Sequence, residues 1–297
     1  MAKKTTTAKK SNSKAASKQT KKIAKKTPKA TAGKQSAKTQ KKSLPTDGHF
    51  EKVRGFVNKH FYAQYLEGLK EFVRIPSLSA VFDEDWAKNR NLFKQCDHLV
   101  KFVKDQKVIG AKVKPYEEKG RSPFLIVDIP AFKRKDDFTV LMYGHMDKQP
   151  FGEGWNTDPC DPVIKDGLMF GRGSSDDGYS LFCAILAIKA CQENGLPHPR
   201  CVITIEGSEE GEVDDLKFYM KKYKSQLGNP NLVLCLDAVA LNNSTLFATT
   251  TLRGIVAFDL SVTIGTGNMH SGYSGAYPQA HAIMNQLLSR VHDEKTQ

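Results

Sequence analysis

Within "VITIEGSEEGE" (residues 202–212), Glu206, Glu209, Glu210 and Glu212 crowd four carboxylates into seven positions directly after an apolar, β-branched run. Neighbouring acids at the end of a buried strand repel one another, and that repulsion is relieved by a cation, a shared proton or open water. Two other apolar runs also finish on a candidate ligand: "FTVLMYGHMD" on His145 and Asp147, and "NLVLCLD" on Asp237. A further acidic pair, Asp176 and Asp177, sits in "GRGSSDDG", between glycine-rich backbone and the start of a helical pattern. Each feature has an ordinary explanation by itself. A His two residues from an Asp is commonly just a hydrogen-bonded pair, an Asp before a helix is an N-cap, an acid cluster is a solvated turn, and a strand-end Asp forms turns. Together, one His and several carboxylates at one edge of a sheet suit a hard or borderline dication such as Zn²⁺, Mn²⁺ or Co²⁺. A bound dication would also account for like charges side by side.

The elements that must position these groups read as alternating helices and strands. Apolar residues recur at helical spacing from Phe50 to Val73 and again from Leu92 to Val103, so two amphipathic helices open the folded part. "PFLIVDI" (123–129) and "FTVLMYG" (138–144) are strands whose charged connection "PAFKRKDD" is compatible with a hairpin. A helix follows the Asp176–Asp177 pair, with Leu181, Phe182, Ile185, Leu186 and Ile188 on its buried face and Gly195 as its stop. "CVITIEG", "DDLKFYMKKYKSQLG" and "NLVLCLDA" continue as strand, helix and strand. Near-continuous apolar strands alternating with helices predict a layered α/β fold with a sheet covered on both faces. In such sheets ligands bind beyond the carboxyl ends of the strands, where the candidate residues fall. After residue 254 the pattern changes: "IVAFDLSVTIG" alternates like an antiparallel strand and "QAHAIMNQLLSRVHD" is helical. One strand and one helix do not make a stable domain.

The formal charge of +13 is unevenly placed. Residues 1–48 hold 15 Lys and a single acid, Asp47, whereas the remaining 30 basic and 31 acidic side chains nearly cancel. This Lys-, Ala-, Thr- and Ser-rich tail has too little apolar surface to offset its ordering entropy and is expected to be disordered. It is suited to nonspecific contact with a polyanion by counterion release, and equally to acting as a solubilising extension. It lacks the apolar core of a secretory signal. Six cysteines without a CxxC pair, four of them in apolar runs, favour a reducing compartment. No apolar stretch reaches membrane-spanning length. The expected setting is cytoplasmic, with the Lys-rich tail also compatible with nuclear entry and with no membrane insertion.

"YGHMDKQP", "GLMFGRGSSDDG", "EGSEEGE", "LCLDA" and "MHSGYSG" resemble, in order, the signature segments of the M20 family of co-catalytic zinc metallopeptidases. The resemblance spans roughly residues 50–297 and is strongest to the carnosinase-type dipeptidase branch. Beyond the disordered tail at 1–48 that composition predicts, it implies a layered α/β/α catalytic domain at 49–252, incomplete in this chain, and the first part of an α+β lid or dimerisation domain at 253–297. It also implies two divalent ions, Zn²⁺ foremost with Mn²⁺ or Co²⁺ as alternatives, held by His145, Asp176, Glu210 and Asp237. Asp176 would bridge the ions and form a cis peptide with Asp177, while Asp147 would fix the orientation and tautomer of the His145 ring. Glu209 would act as general base on the water that the two ions activate. His270 would stabilise the tetrahedral oxyanion, reaching across a homodimer from the partner's lid. The implied reaction is hydrolysis of the amide bond of a dipeptide or other small peptide.

Two local departures from the family pattern stand out: Lys148 follows Asp147 where an apolar residue is common, and "DDGYS" replaces the usual Lys-Gly after the acidic pair. Family members also run well beyond this length, complete the lid, and return to supply a last His ligand and the residues that hold the substrate carboxylate. Neither His281 nor His292 lies at the position of that ligand. The chain is therefore expected to be C-terminally truncated, as a fragment, a truncated gene model or a degenerate paralogue, with its own activity in doubt. Alternatives of other kinds are an inactive polyanion-binding or interaction protein on the same fold, and a deacylase of N-acyl amino acids.

Overall fold

A computed structural model describes residues 47–293 except 212–213, 239–241 and 243–244, together with Lys295. The Lys-rich tail, apart from its last two positions, and Glu212 lie outside the described residues.

The chain opens with helix α1 (Asp47–His60), a π-helical turn (Phe61–Tyr65) and α2 (Leu66–Arg74). Leu66, Leu69, Phe72 and Val73 of α2 are buried, the one-faced spacing that the sequence predicts. A short α3 (Trp86–Asn89) leads into α4 (Asn91–Asp105), whose buried residues include Leu92, Phe93, Cys96, Leu99, Val100 and Val103.

Five strands form one mixed sheet: β1 (Lys112–Tyr116), β2 (Phe124–Ile129), β3 (Thr139–His145), β6 (Arg200–Glu206) and β7 (Leu232–Cys235), in the order β1-β2-β6-β3-β7. A separate two-stranded ribbon pairs β4 (Val163–Lys165) with β5 (Leu168–Phe170). Helix α5 (Tyr179–Glu193) connects the ribbon to β6; α6 (Asp214–Lys222) and α7 (Lys224–Leu227) connect β6 to β7. Two pairings are antiparallel, β1 with β2 and β2 with β6, while β6, β3 and β7 are mutually parallel.

This topology corrects the hairpin expected of 123–129 and 138–144. Strand β6 lies between β2 and β3 and bonds to both, so the two never pair. Six of the seven β6 residues are buried, as a strand covered on both faces requires, and hydrogen-bonded partners on both sides satisfy its backbone.

Strand side chains divide with period two between two cores. Leu125, Val127, Ile129, Ile203 and Ile205 face the larger core, shared with α2, α4 and α5. Phe124, Ile126 and Val202 face the smaller one, capped by Tyr219 of α6 and Leu227 of α7. Each such side chain, fully buried, contributes about 1.5–3 kcal/mol. Tyr219 stacks on Phe124 at 4.8 Å between ring centroids, and its hydroxyl donates to the Ser122 carbonyl at 2.7 Å.

The strand expected over "IVAFDLSVTIG" does not form: among the described residues, 255–264 have no ladder partner and are largely exposed. Alternation alone cannot hold a strand without a neighbour to satisfy its backbone. The following helix, α8 (Ala280–Leu288), forms over part of its expected span.

Gly144 fixes the distance between β3 and α5. A Cβ there would collide with Ser180 Oγ and Asp177 Oδ2. Gly144→Ala is therefore expected to destabilise the fold by about 1–3 kcal/mol, the usual cost of overpacking a core. Urea unfolding checks this, and an unchanged midpoint would contradict the tight approach.

Candidate metal centre

The three parallel strands β6, β3 and β7 are adjacent, and their carboxyl ends deliver the candidate residues to one place. His145 is the last residue of β3 and pairs in register with Glu206 of β6. Glu209 and Glu210 lie in the turn after β6, Asp237 follows β7, and Asp176 belongs to the glycine-rich loop between β5 and α5.

His145 Nε2 is the focus. It lies 2.9 Å from Asp176 Oδ1, 3.8 Å from Glu209 Oε2 and 3.8 Å from Asp237 Oδ2. Two groups offer ligand atoms within 4.8 Å of one another: His145 with Asp176 and Asp237, and His145 with Glu209 and Glu210. The other ring nitrogen, Nδ1, sits 3.0 Å from the Asp147 carbonyl oxygen and 3.3 Å from its Oδ1. With an ion in place, an Nδ1–H donated there would leave the Nε2 lone pair to ligate it.

Asp147 does more than the His-orienting role read from the sequence. Its buried carboxylate accepts the Glu209 N–H at 3.1 Å on one oxygen and the Glu210 N–H at 3.0 Å on the other. It thereby holds the acidic turn against the end of β3. Asp177, joined to Asp176 by a cis peptide, turns inward: its Oδ2 accepts the His145 N–H at 3.1 Å, and its buried Oδ1 has no hydrogen-bond partner among the described residues. Glu210 Oε2 accepts from Gln149 Nε2 at 2.6 Å.

The charges in this cluster are not independent. Burial opposes a charge on His145, but hydrogen bonds to Asp147 and Asp176 and the surrounding acids outweigh it and raise the imidazole to about 12. Asp176 is lowered, chiefly by its hydrogen bond to His145. Glu209, Glu210 and Asp237 are raised, first by burial and then by neighbouring acids. Burial also raises Asp177 to about 7. His145 is thus the basic group that these carboxylates share. Oxygen donors with a single imidazole, converging within a few ångströms, are a donor set that Zn²⁺ or Mn²⁺ fits.

His270 is not part of this cluster. It is exposed in the 264–280 segment, and its Nδ1 accepts the Gly272 N–H at 3.0 Å.

Gly144 carried no signal in the sequence, yet it admits Asp177 to the His145 backbone. Lys148, visible only as a departure after Asp147, is fully buried, and Glu206, one of the four crowded acids, is buried beneath the turn.

An α/β sheet that gathers one imidazole and four carboxylates at the carboxyl ends of adjacent parallel strands forms a candidate divalent-metal site. Residues 141–240 match the family described as Peptidase family M20/M25/M40. The chain is 33% identical over 159 residues to the Cys-Gly metallodipeptidase of Schizosaccharomyces pombe, covering 51% of this chain and 32% of that protein. It is 27% identical over 248 residues to the Cys-Gly metallodipeptidase of Saccharomyces cerevisiae, covering 78% and 50%. The crystal structure of human carnosine dipeptidase 1 matches with a TM-score of 0.56 and 24% identity, over 66% of this chain and 43% of that one, a likeness of fold. The matches thus take in between 32% and 50% of the curated relatives' length.

Glu206 offers a test of site electrostatics that needs no metal. Its two oxygens accept from the Tyr143 hydroxyl and from Ser208 Oγ, and burial pushes it up from 4.5 to about 7. Between those values the folded chain keeps a proton that the unfolded chain has lost, so stability falls as pH rises through this window. Glu206→Gln, permanently neutral, lacks that slope. In chelator, it is expected to gain on the wild type by up to about 3 kcal/mol between pH 5 and pH 8. Urea unfolding at the two values measures this; parallel pH dependence would refute it.

Proposed function

We propose that the chain carries the metal-binding and proton-transferring half of a metallopeptidase site that hydrolyses the amide bond of dipeptides or other small peptides. The observation that carries this reading is the convergence of Asp176, Asp237 and Glu209 on His145 Nε2. The names of the relatives, Cys-Gly metallodipeptidases among them, point to the same substrate class.

His145 has one lone pair at Nε2 and so can serve one ion, with Asp176 and Asp237 as its companions. Glu210 and the second oxygen of Asp176 are then available for another. Zn²⁺ is the ion proposed, with Mn²⁺ or Co²⁺ as alternatives. When bound, such a pair supplies an acidified water and polarises the scissile carbonyl.

The chain's own residues supply the rest. Glu209 accepts the water's proton through its carboxylate and returns it to the leaving amine. Its raised affinity for a proton, chiefly an effect of burial, suits that exchange near neutrality. Asp147 holds the Glu209 and Glu210 amides, fixing which carboxylate faces which partner. His270, exposed in its own segment, is proposed to stabilise the oxyanion from a second copy of the chain. The six free thiols suit a reducing, cytoplasmic setting; among the described residues, no helix is long and apolar enough to cross a membrane.

Elemental analysis of the purified 297-residue chain after dialysis against Zn²⁺ is the direct test. Two ions per chain are expected, falling in His145→Ala and Asp176→Asn; a wild-type chain that retains none overturns the reading. Glu209→Gln is expected to keep its metal while lowering dipeptide hydrolysis at least about 100-fold. Equal turnover by this variant would remove Glu209 from the proton-transfer role.

A further inference from the structure

Lys148 is fully buried, an environment that an ammonium tolerates only with partners. Its Nζ donates to three carbonyl oxygens at the end of α2: Phe72 at 2.7 Å, Val73 at 3.2 Å and Ile75 at 2.6 Å. It also stands 4.8 Å from the centroid of the Phe72 ring. These carbonyls lie where α2 has no further N–H to offer, and the negative end of the helix favours a cation. Burial still lowers the lysine to about 7, so the three acceptors do not fully replace water.

The same residue touches the metal centre's supports on two other sides. Through the main chain, its carbonyl accepts the Ser79 N–H at 3.0 Å, and Ser77 Oγ donates to the Met146 carbonyl at 3.0 Å. The segment after α2 is thus fastened along residues 146–148, which include Asp147. Along the side chain, Cε lies only 2.7 Å from where a Cβ on Gly173 would be. Gly173 in turn accepts the Gly178 N–H at 2.9 Å, closing the loop that carries Asp176 and Asp177. An apolar residue at position 148 would fill the space but leave the α2 carbonyls without that donor.

We propose that Lys148 is a positioning residue for the metal centre: its buried ammonium ties the end of α2 to the Asp147 segment, while its stem supports the Asp176 loop. One side chain thereby sets the spacing between ligands on β3, on the turn after β6 and on the glycine loop. This rests on the metal-centre reading and deepens it.

The test is Zn²⁺ affinity by competitive chelator titration of the full chain, held well below the unfolding transition of every variant. Lys148→Met keeps the stem and removes the charge; it is expected to bind Zn²⁺ about 10-fold or more weakly, as loss of supporting contacts around ligands commonly does. Leu99→Ala, in the same core but away from the centre, is expected to lower the melting temperature without weakening Zn²⁺ binding. Wild-type affinity in Lys148→Met, or equal weakening in Leu99→Ala, would mean that Lys148 serves stability alone and would overturn the proposal. If Lys148→Met does not fold, Lys148→Arg decides the matter. Its planar fork cannot serve three carbonyls from the space beneath Gly173, so weaker binding is again expected and wild-type affinity overturns the proposal. A wild-type chain that binds no Zn²⁺ would overturn the metal-centre reading and this inference with it. Loss confined to the variant separates the two.

Discussion

Electrostatic crowding at the carboxyl ends of three parallel strands is the constraint on which the site depends. Carboxylates that converge on one imidazole cannot all remain charged in a partly buried setting without a positive charge at their centre. In the described structure His145 is the basic group at that centre, its proton affinity raised by its acidic neighbours against the opposing effect of burial. A dication would do the same with twice the charge and would take the imidazole as a neutral ligand.

Such crowding costs folding energy, and the surrounding backbone bears it. Asp147 is surrounded by donors rather than placed among the exposed acids: both oxygens take main-chain N–H groups from the very turn that carries Glu209 and Glu210. Asp177 likewise takes the His145 N–H, in a space that exists because position 144 has no side chain. Negative charge on these two buried acids is thus spent on orientation, while the more exposed Asp176, Glu209, Glu210 and Asp237 face the common centre.

Much of this was legible in the sequence, because ligands at the ends of apolar strands are local features. "YGHMD", "GSEE" and "LCLD" each place polar atoms one to four residues beyond a strand, and any sheet with those strands parallel would bring them to one edge. What could not be read was the order of the strands. Whether β2 pairs with β3 or with β6 is decided by long-range burial of β6 on both faces, not by the charged connection between β2 and β3. The alternation in 255–264 misled for the complementary reason: period two reports a face to be buried, and a strand also needs a neighbour. Lys148 was visible only as an oddity, since its partners are main-chain carbonyls 73 to 76 positions earlier, which no motif records.

The two sides of the centre differ in how firmly they are held. His145, Asp147 and Asp177 are at most 1% exposed, embedded between β6, α5 and the end of α2. On the other side the Asp176 side chain is 59% exposed, those of Glu209 and Asp237 about a third, and β7 is an edge strand with Leu232, Val233 and Leu234 uncovered. The division follows from chemistry within the chain. Asp147 can be fully buried because main-chain N–H groups meet both of its oxygens, whereas Asp176, Glu209 and Asp237 keep part of their surface in water.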